Sequence, residues 1–229
     1  AWQVQKSKQP FPDLLSKIQS GRGGETVITY TPSTQFNNQD TTGKYRLPFP
    51  LYTVTQVDQK DGRGNTYTTH YSYKGGLFDG SDREFRGFRE VTLTDALGTE
   101  TRHTFGQDNH NKGRLLTKEV WGCGTDPSGT MLSRPCAMLL FSKEVTTWQD
   151  THPYPGVHFV YVSEQNNYLY DGDLSLKQTR QTFTYDSYGN LASTTEEGDP
   201  SISTDSRKTV NTYVYNTTDY ILNTLSKTT

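Results

Sequence analysis

The sequence predicts an all-β, mostly antiparallel protein built as a curved meander of hairpins. Three observations carry this. Apolar and polar residues alternate with a period of two along most of the chain after Gly24. Those stretches are rich in Tyr, Phe, Thr and Val, with 15 Tyr and 10 Phe in 229 residues, and such side chains suit a pleated, half-buried surface better than a helix interior. Clusters of Gly, Asp, Asn and Pro punctuate the pattern at short intervals, where a chain must reverse.

Taken in order, residues 1–24 form an entry segment. Pro12 can open a helical turn that carries Leu14, Leu15 and Ile18 on one face and ends at Gly21, with a short irregular strand as the alternative. Residues 25–120 form a middle β region. Its clearest strand is NTYTTHYSY (65–73), where Tyr67, Thr69, Tyr71 and Tyr73 share one face and Thr66, Thr68, His70 and Ser72 the other. The turn DQKDGRGN links it back to LYTVTQV, and KGGLFDGSD reads as the turn leading on to the FRGF strand. Residues 121–165 read as a loop-containing insertion, in which DTHPYPG, with two prolines, marks a loop or a change of sheet. Residues 166–229 continue with LKQTRQTFTYD, NLASTTEEG and KTVNTYVYN as strands.

Two finer patterns stand out. An aromatic, one spacer and a Tyr precede a polar turn three times, giving the pairs Tyr71/Tyr73, Phe183/Tyr185 and Tyr213/Tyr215. Stacked hairpins would lay such rings in ladders. In REFRGFREVT (83–92), strict alternation sets Phe85 and Phe88 on opposite faces unless the strand bulges, and Gly87 between them is where a bulge costs least. Arg86 and Arg89 then have Glu84, Glu90 or cross-strand acids as partners.

Composition excludes several function classes. The formal net charge of -2 gives no field for nucleic acid or an acidic membrane. Mean hydropathy is -0.82, and no apolar run approaches the ~20 residues of a membrane span. The N-terminus AWQVQKSKQP has neither an initiator Met nor the apolar stretch of a signal peptide, so the chain reads as a fragment whose export signal lies elsewhere.

Candidate chemistry is sparse. His70, His103, His110, His152 and His158 show no helical ligand spacing and none sits beside a cysteine, so the spacing predicts no metal site. DQKDGRGN lacks the alternating acids of a calcium loop, and SGRGGET lacks the Lys-Ser/Thr pair of a phosphate loop. No nucleophile elbow or Cys–His signature appears, and Glu196/Glu197 lie in a polar turn. The expectation is no enzyme and no cofactor. Cys123 and Cys136 flank a loop full of turn formers and are either a disulfide or two free thiols. The Tyr-rich face around Tyr71 and Tyr73 is either a structural ladder or a platform for sugars, and the second makes a secreted adhesion or carbohydrate-binding domain the alternative function.

YDSYGN at 185–190, which contains Gly189, resembles the YD-repeat motif of Rhs/YD-repeat proteins. DLLSKIQSGRGGETVITYTPSTQF at 13–36 is similar to a segment of the B component of insecticidal toxin complexes (Tc toxins) and of SpvB-like proteins. LPFPLYTVTQV (47–57), YSYKGGLFDGSDREFRGFREV (71–91) and YVYNTTDYILNTLSKTT (213–229) continue the likeness in the family's order. The resemblance implies the middle of the B component, where the chain leaves a β-propeller and enters a hollow shell of spiralling strands. It implies as partners the rest of the same shell-forming chain, a C component-like Rhs protein with its enclosed toxin, and a pore-forming A component reached through a flanking propeller. It also implies a secreted toxin complex, with Gly87, Phe85 and Phe88 in the strand that enters the shell wall.

Overall fold

The computed structural model describes residues 13–40, 42–124, 136–170, 176–202 and 204–229. They form thirteen strands: β1 (Lys17–Gln19), β2 (Glu25–Pro32), β3 (Tyr52–Lys60), β4 (Thr66–Asp79), β5 (Glu84–Thr94), β6 (Glu100–Phe105), β7 (Leu115–Cys123), β8 (Met138–Tyr154), β9 (Val157–Tyr170), β10 (Leu176–Tyr185), β11 (Leu191–Glu197), β12 (Ser206–Asn216) and β13 (Ile221–Thr228). All lie in one sheet, in the order of the chain. Each strand pairs antiparallel with the next, from Lys17↔Val27 at one end to Asn211↔Thr228 at the other. The meander expected from the alternation is therefore the fold. The helical element among the described residues is a 3-10 turn at Ser33–Gln35.

Three local expectations are corrected. The entry segment takes its alternative, a short strand, over the helical turn: β1 pairs with Glu25–Val27, because Ser20–Gly24 folds back tightly and carries Ser16–Gln19 alongside β2. Pro12 lies outside the described residues. KGGLFDGSD is not a turn throughout, since β4 runs on to Asp79 and the reversal falls at residues 80–83. DTHPYPG does hold a loop, but a tight one and no change of sheet: β8 continues through Pro153 and the hairpin reverses at Pro155–Gly156, so Tyr154 pairs with Val157 in the same sheet. A register shift between Thr151 and Tyr154 accommodates Pro153, which has no N–H to give to a ladder.

One turn recurs along the sheet. At Asp186, Oδ1 accepts the N–H groups of Tyr188 and Asn190, both at 2.9 Å. The Asp186 N–H donates to the Asn190 carbonyl, and the Gly189 N–H returns to the Asp186 carbonyl. Asp40, Asp61 and Asp95 each accept the same two N–H groups, from the residues two and four further on. Ser20 serves in the first reversal, where its Oγ accepts the Gly24 N–H at 3.0 Å. The fourth residue is glycine in every copy, with φ of 87°, 80°, 103°, 84° and 86° at Gly23, Gly43, Gly64, Gly98 and Gly189. A side chain ahead of the reversal satisfies the orphan amides, and a glycine takes the left-handed residue that twists the strands into register.

Three of these turn carboxylates shift in the same direction. The Thr42 hydroxyl and the Arg46 guanidinium hold Asp40 well below the usual carboxylate range. The Asn65 side chain and the Arg63 N–H lower Asp61. At Asp186 burial raises the value, but Asn190 and the Tyr215 hydroxyl outweigh it. A carboxyl that titrates lower folded than unfolded contributes stability that is full above the unfolded value, near ~4, and is lost as pH falls through the folded value. Unfolding followed by tyrosine fluorescence is therefore expected to be insensitive to pH from about 7 to 5 on their account and to become easier below about 4.

The core is thin. Among the described residues the buried apolar residue is Cys123, and the buried polar ones are Ser33, Asn38, Arg86, Asn166 and Ser193. The chain exposes 15646 Å², whereas a globular monomer of 25.9 kDa exposes about 10,500 Å². A single sheet has no second layer to cover its apolar rows, so Tyr52, Tyr67, Val214 and Leu225 stand open on strands.

Candidate functional site

A polar network built around a buried arginine lies where the β4–β5 hairpin leaves the regular ladder. Gly76 pairs with Phe88 and Phe78 with Phe85, so β5 carries one more residue than β4 over this interval. The extra residue falls beside Gly87, whose φ is +82°. The bulge breaks strict alternation and brings the Phe85 and Phe88 rings edge-to-face at 5.6 Å. On β4, Gly75 has φ +65° and donates its N–H to the Asn37 carbonyl. Gly76 donates to Asn38 Oδ1 at 3.0 Å. A Cβ on Gly76 would lie 2.9 Å from that oxygen and 3.0 Å from Leu47 and Phe88, so the 33–47 loop can pack here only against glycine.

Arg86 locks the bend. Its side chain is 4% exposed, with Nη2 2.6 Å from Asp82 and 2.9 Å from Asp79, and Nη1 donates to the Gln107 carbonyl at 3.1 Å. Gln107 Nε2 in turn donates to the carbonyls of Gly75 and Gly87 at 2.8 and 2.9 Å. Asn38, itself buried, donates to the Ser33 carbonyl at 2.7 Å. Backbone N–H groups of Asp82 and Ser81, and then the Arg86 charge, hold the Asp79 carboxyl below its ordinary value. Arg89 pairs with Glu90 at 3.2 Å, and Glu84 pairs with Lys112. The two arginines thus bind acids of the hairpin and its turn, and their charge is spent within the sheet.

Replacing Gly87 with Val tests the bend alone. No atom lies within 4 Å of the added Cβ, so no clash contributes. A β-branched residue at this φ costs about 1–2 kcal/mol of backbone strain. Faster hydrogen exchange confined to β4 and β5 is the expected result, and Gly87→Ala should show less of it.

The aromatic pairs fall in different settings. Tyr73 packs on Phe36 at 5.4 Å and Phe88 at 4.9 Å, and its hydroxyl donates to the Val54 carbonyl. Its ring is committed to the sheet and offers no open platform for a sugar; Tyr71 is half-buried beside it. Tyr185 lies against Tyr161 and Phe159, and Gly189 lies beneath the Phe159 ring. Phe183 sits opposite Thr194 in the β10–β11 ladder. Tyr213 donates to the Leu191 carbonyl, while Tyr215 packs at a tilt against Tyr188 and donates to Asp186 Oδ2 at 2.8 Å. Cys123 and Cys136 are joined as a disulfide across a Cα separation of 5.7 Å.

Sequence reasoning passed over one constellation. His110, Asp150 and His158 converge, their ligand atoms all within 4.8 Å of one another. Helical spacing was the wrong test for them. The readable signal was Asp150 and His152 two apart on a strand, with His158 just beyond a Pro-Gly reversal.

The family model described as "Insecticide toxin TcdB middle/N-terminal region" matches residues 1–118. The chain belongs to this family. No curated protein matches it. Among solved structures, that of TcdB2-TccC3-Cdc42 superimposes with a TM-score of 0.72 at 17% identity, covering 94% of this chain and 15% of that one. That of TcdB2-TccC3 gives 0.70 at 17%, covering 90% and 15%. The Photorhabdus luminescens Tc holotoxin pore gives 0.68 at 15%, covering 92% and 14%. The TcdB-family sheet therefore shares its fold with these chains over nearly its whole length, and it spans about 15% of the length of the chains in the first two. No helix among the described residues is long and apolar enough to cross a membrane.

Proposed function

We propose that this TcdB-family segment is a non-catalytic stretch of wall in a hollow β-shell that encloses a toxic polypeptide and delivers it from a secreted complex. Its partners in this reading are the flanking strands of its own chain, a C component-like Rhs protein that completes the shell, and a pore-forming component engaged through a flanking propeller. The single observation that carries the reading is the one-layer ladder of thirteen strands in chain order, with one partner each for β1 and β13 and almost no core among the described residues. Such a sheet needs more strands at both ends and something against its faces to be stable. The similar solved structures, TcdB2-TccC3 complexes and a Tc holotoxin pore, support the choice of partners.

The test uses the full-length protein bearing this segment, co-purified with a C component-like partner that carries its C-terminal polypeptide. Hollow particles in electron micrographs are expected. Within them the cargo should survive protease doses that digest the same polypeptide when free. Equal digestion in both states would overturn the proposal.

A further inference from the structure

We propose that His110, Asp150 and His158, joined by His152, form a binding site for one divalent transition-metal ion of the zinc class, which pins the β6–β7 loop to the tip of the β8–β9 hairpin.

The fold brings the four donors together from three places. Asp150 and His152 are two apart on β8 and share a face. The reversal at Pro155–Gly156 returns His158 on β9 beside them. His110 arrives from the loop between β6 and β7, where its N–H and that of Asn111 are held by Asp108 Oδ1. That loop is anchored to the same face of β8. Arg114 donates through Nε to the His110 carbonyl at 3.0 Å and lays its guanidinium 4.5 Å over the Trp148 ring. Trp148 Nε1 donates to the Leu115 carbonyl at 2.9 Å. The donors are therefore set by packed neighbours, as a coordination site requires.

The donors are close enough together for a small tetrahedral ion. Asp150 Oδ2 lies 2.7 Å from His158 Nδ1, 3.5 Å from His152 Nε2 and 3.6 Å from His110 Nδ1. His152 Nε2 is 2.8 Å from His158 Nδ1. Zinc with bonds of about 2.0–2.1 Å separates its tetrahedral ligands by about 3.3–3.4 Å; the two longer separations match this, and the two shorter ones, both to His158 Nδ1, open by roughly half an ångström when the ion enters. Three imidazoles and one carboxylate suit zinc and its neighbours, whereas magnesium and calcium prefer oxygen donors.

Protons alone serve the cluster poorly. A ring nitrogen either carries one proton or offers one lone pair. His158 Nδ1 faces both Asp150 Oδ2 and His152 Nε2 at hydrogen-bond distance. If it is protonated, one hydrogen is shared between two acceptors. If His152 donates to it instead, its lone pair faces a carboxylate oxygen with no proton between. The His110 and His158 rings also stack at 4.1 Å. Asp150 Oδ1 is buried without a hydrogen-bond partner. A cation at the centre would replace the contested proton, because His158 Nδ1, His152 Nε2 and Asp150 Oδ2 then each offer it a lone pair, and the His110 ring turns out of its stack to add the fourth. The histidines are part-exposed, so an ion can enter from solvent.

The experiment takes the full-length protein, strips it with a chelator and titrates it with ZnCl2 against a chromogenic competitor, with MgCl2 as the control. One zinc per chain, a zinc-dependent rise in melting temperature and no response to magnesium are expected. His158→Ala and His110→Gln should each weaken binding by more than ~10–100-fold, the range that loss of even an outer-shell partner costs. His70→Ala, on exposed β4, should leave it unchanged. His110 is on a loop, so His110→Gln keeps the test decisive if His158→Ala fails to fold. Absence of saturable zinc binding, or equal affinity in His110→Gln and the parent, would overturn the site.

Discussion

Replacing Arg86 with Ala is expected to destabilise the β4–β5 hairpin by about 2–3 kcal/mol. Removing one partner of a fully buried pair costs about 3–5 kcal/mol; the lower figure follows because Asp79 and Asp82 are 28% and 49% exposed and can recover water. The loss has three parts: two charge-assisted bonds, the bond to the Gln107 carbonyl, and the volume of a side chain that is 4% exposed. Arg86→Met restores most of the volume and separates packing from charge. It should recover less than half of the loss, because the Gln107 carbonyl and both carboxylates stay unpaired. Arg86→Lys should also fall short, since one ammonium cannot reproduce the fork that spans three acceptors. Hydrogen exchange in the full-length chain is the measurement, with the effect centred on residues 74–90 and on Gln107. Protection equal to the parent in Arg86→Ala would show that the bend holds without its arginine.

The second large effect belongs to the disulfide. Cys123 and Cys136 are thirteen apart in sequence, and a loop of that size is worth about 3 kcal/mol in the chain-entropy model. Cys123 is 4% exposed, so Cys123→Ser also places a hydroxyl where a sulfur was buried. The variant should therefore be less stable than Cys136→Ser, and both less stable than the parent. A reductant should lower the melting temperature of the parent and leave both variants unchanged. Equal melting of parent and variants without reductant would mean that the cross-link carries no stability. The β7–β8 ladder on either side, from Cys123↔Met138 inward, is where loosening should first appear.

The sheet was legible because its signal is local. Alternation in NTYTTHYSY, LKQTRQTFTYD and KTVNTYVYN decides each strand without reference to its neighbours, and all three are strands β4, β10 and β12. The errors arose where partners elsewhere decide. Two glycines in KGGLF suggest a turn, yet β4 runs on through the left-handed Gly75 because Asn37 and Asn38 take the glycine N–H groups from the side. Pro153 suggests a break, yet a register shift absorbs it. The histidines illustrate the same limit. Their meeting depends on β8–β9 register and on an Arg114–Trp148 stack between a loop and a strand, and neither is written in the spacing of the residues. The most regular repeat, the Asp or Ser that closes each five-residue reversal ahead of a left-handed glycine, was visible in SGRGG, DGRGN, DALGT and DSYGN. It becomes recognisable as one device when its hydrogen bonds are compared.

The order of the thirteen strands has a consequence for how the molecule is made. Each strand needs only its predecessor, so no segment waits for a distant one to emerge before it can be paired. Growth by addition at one edge keeps sequence separations short, which favours rapid assembly and suits a chain that appears N-terminus first. A nascent chain of this kind grows at one edge, and the next hairpin covers it. The sheet can be laid down course by course as it is synthesised, with each tight reversal setting the position of the strand that follows.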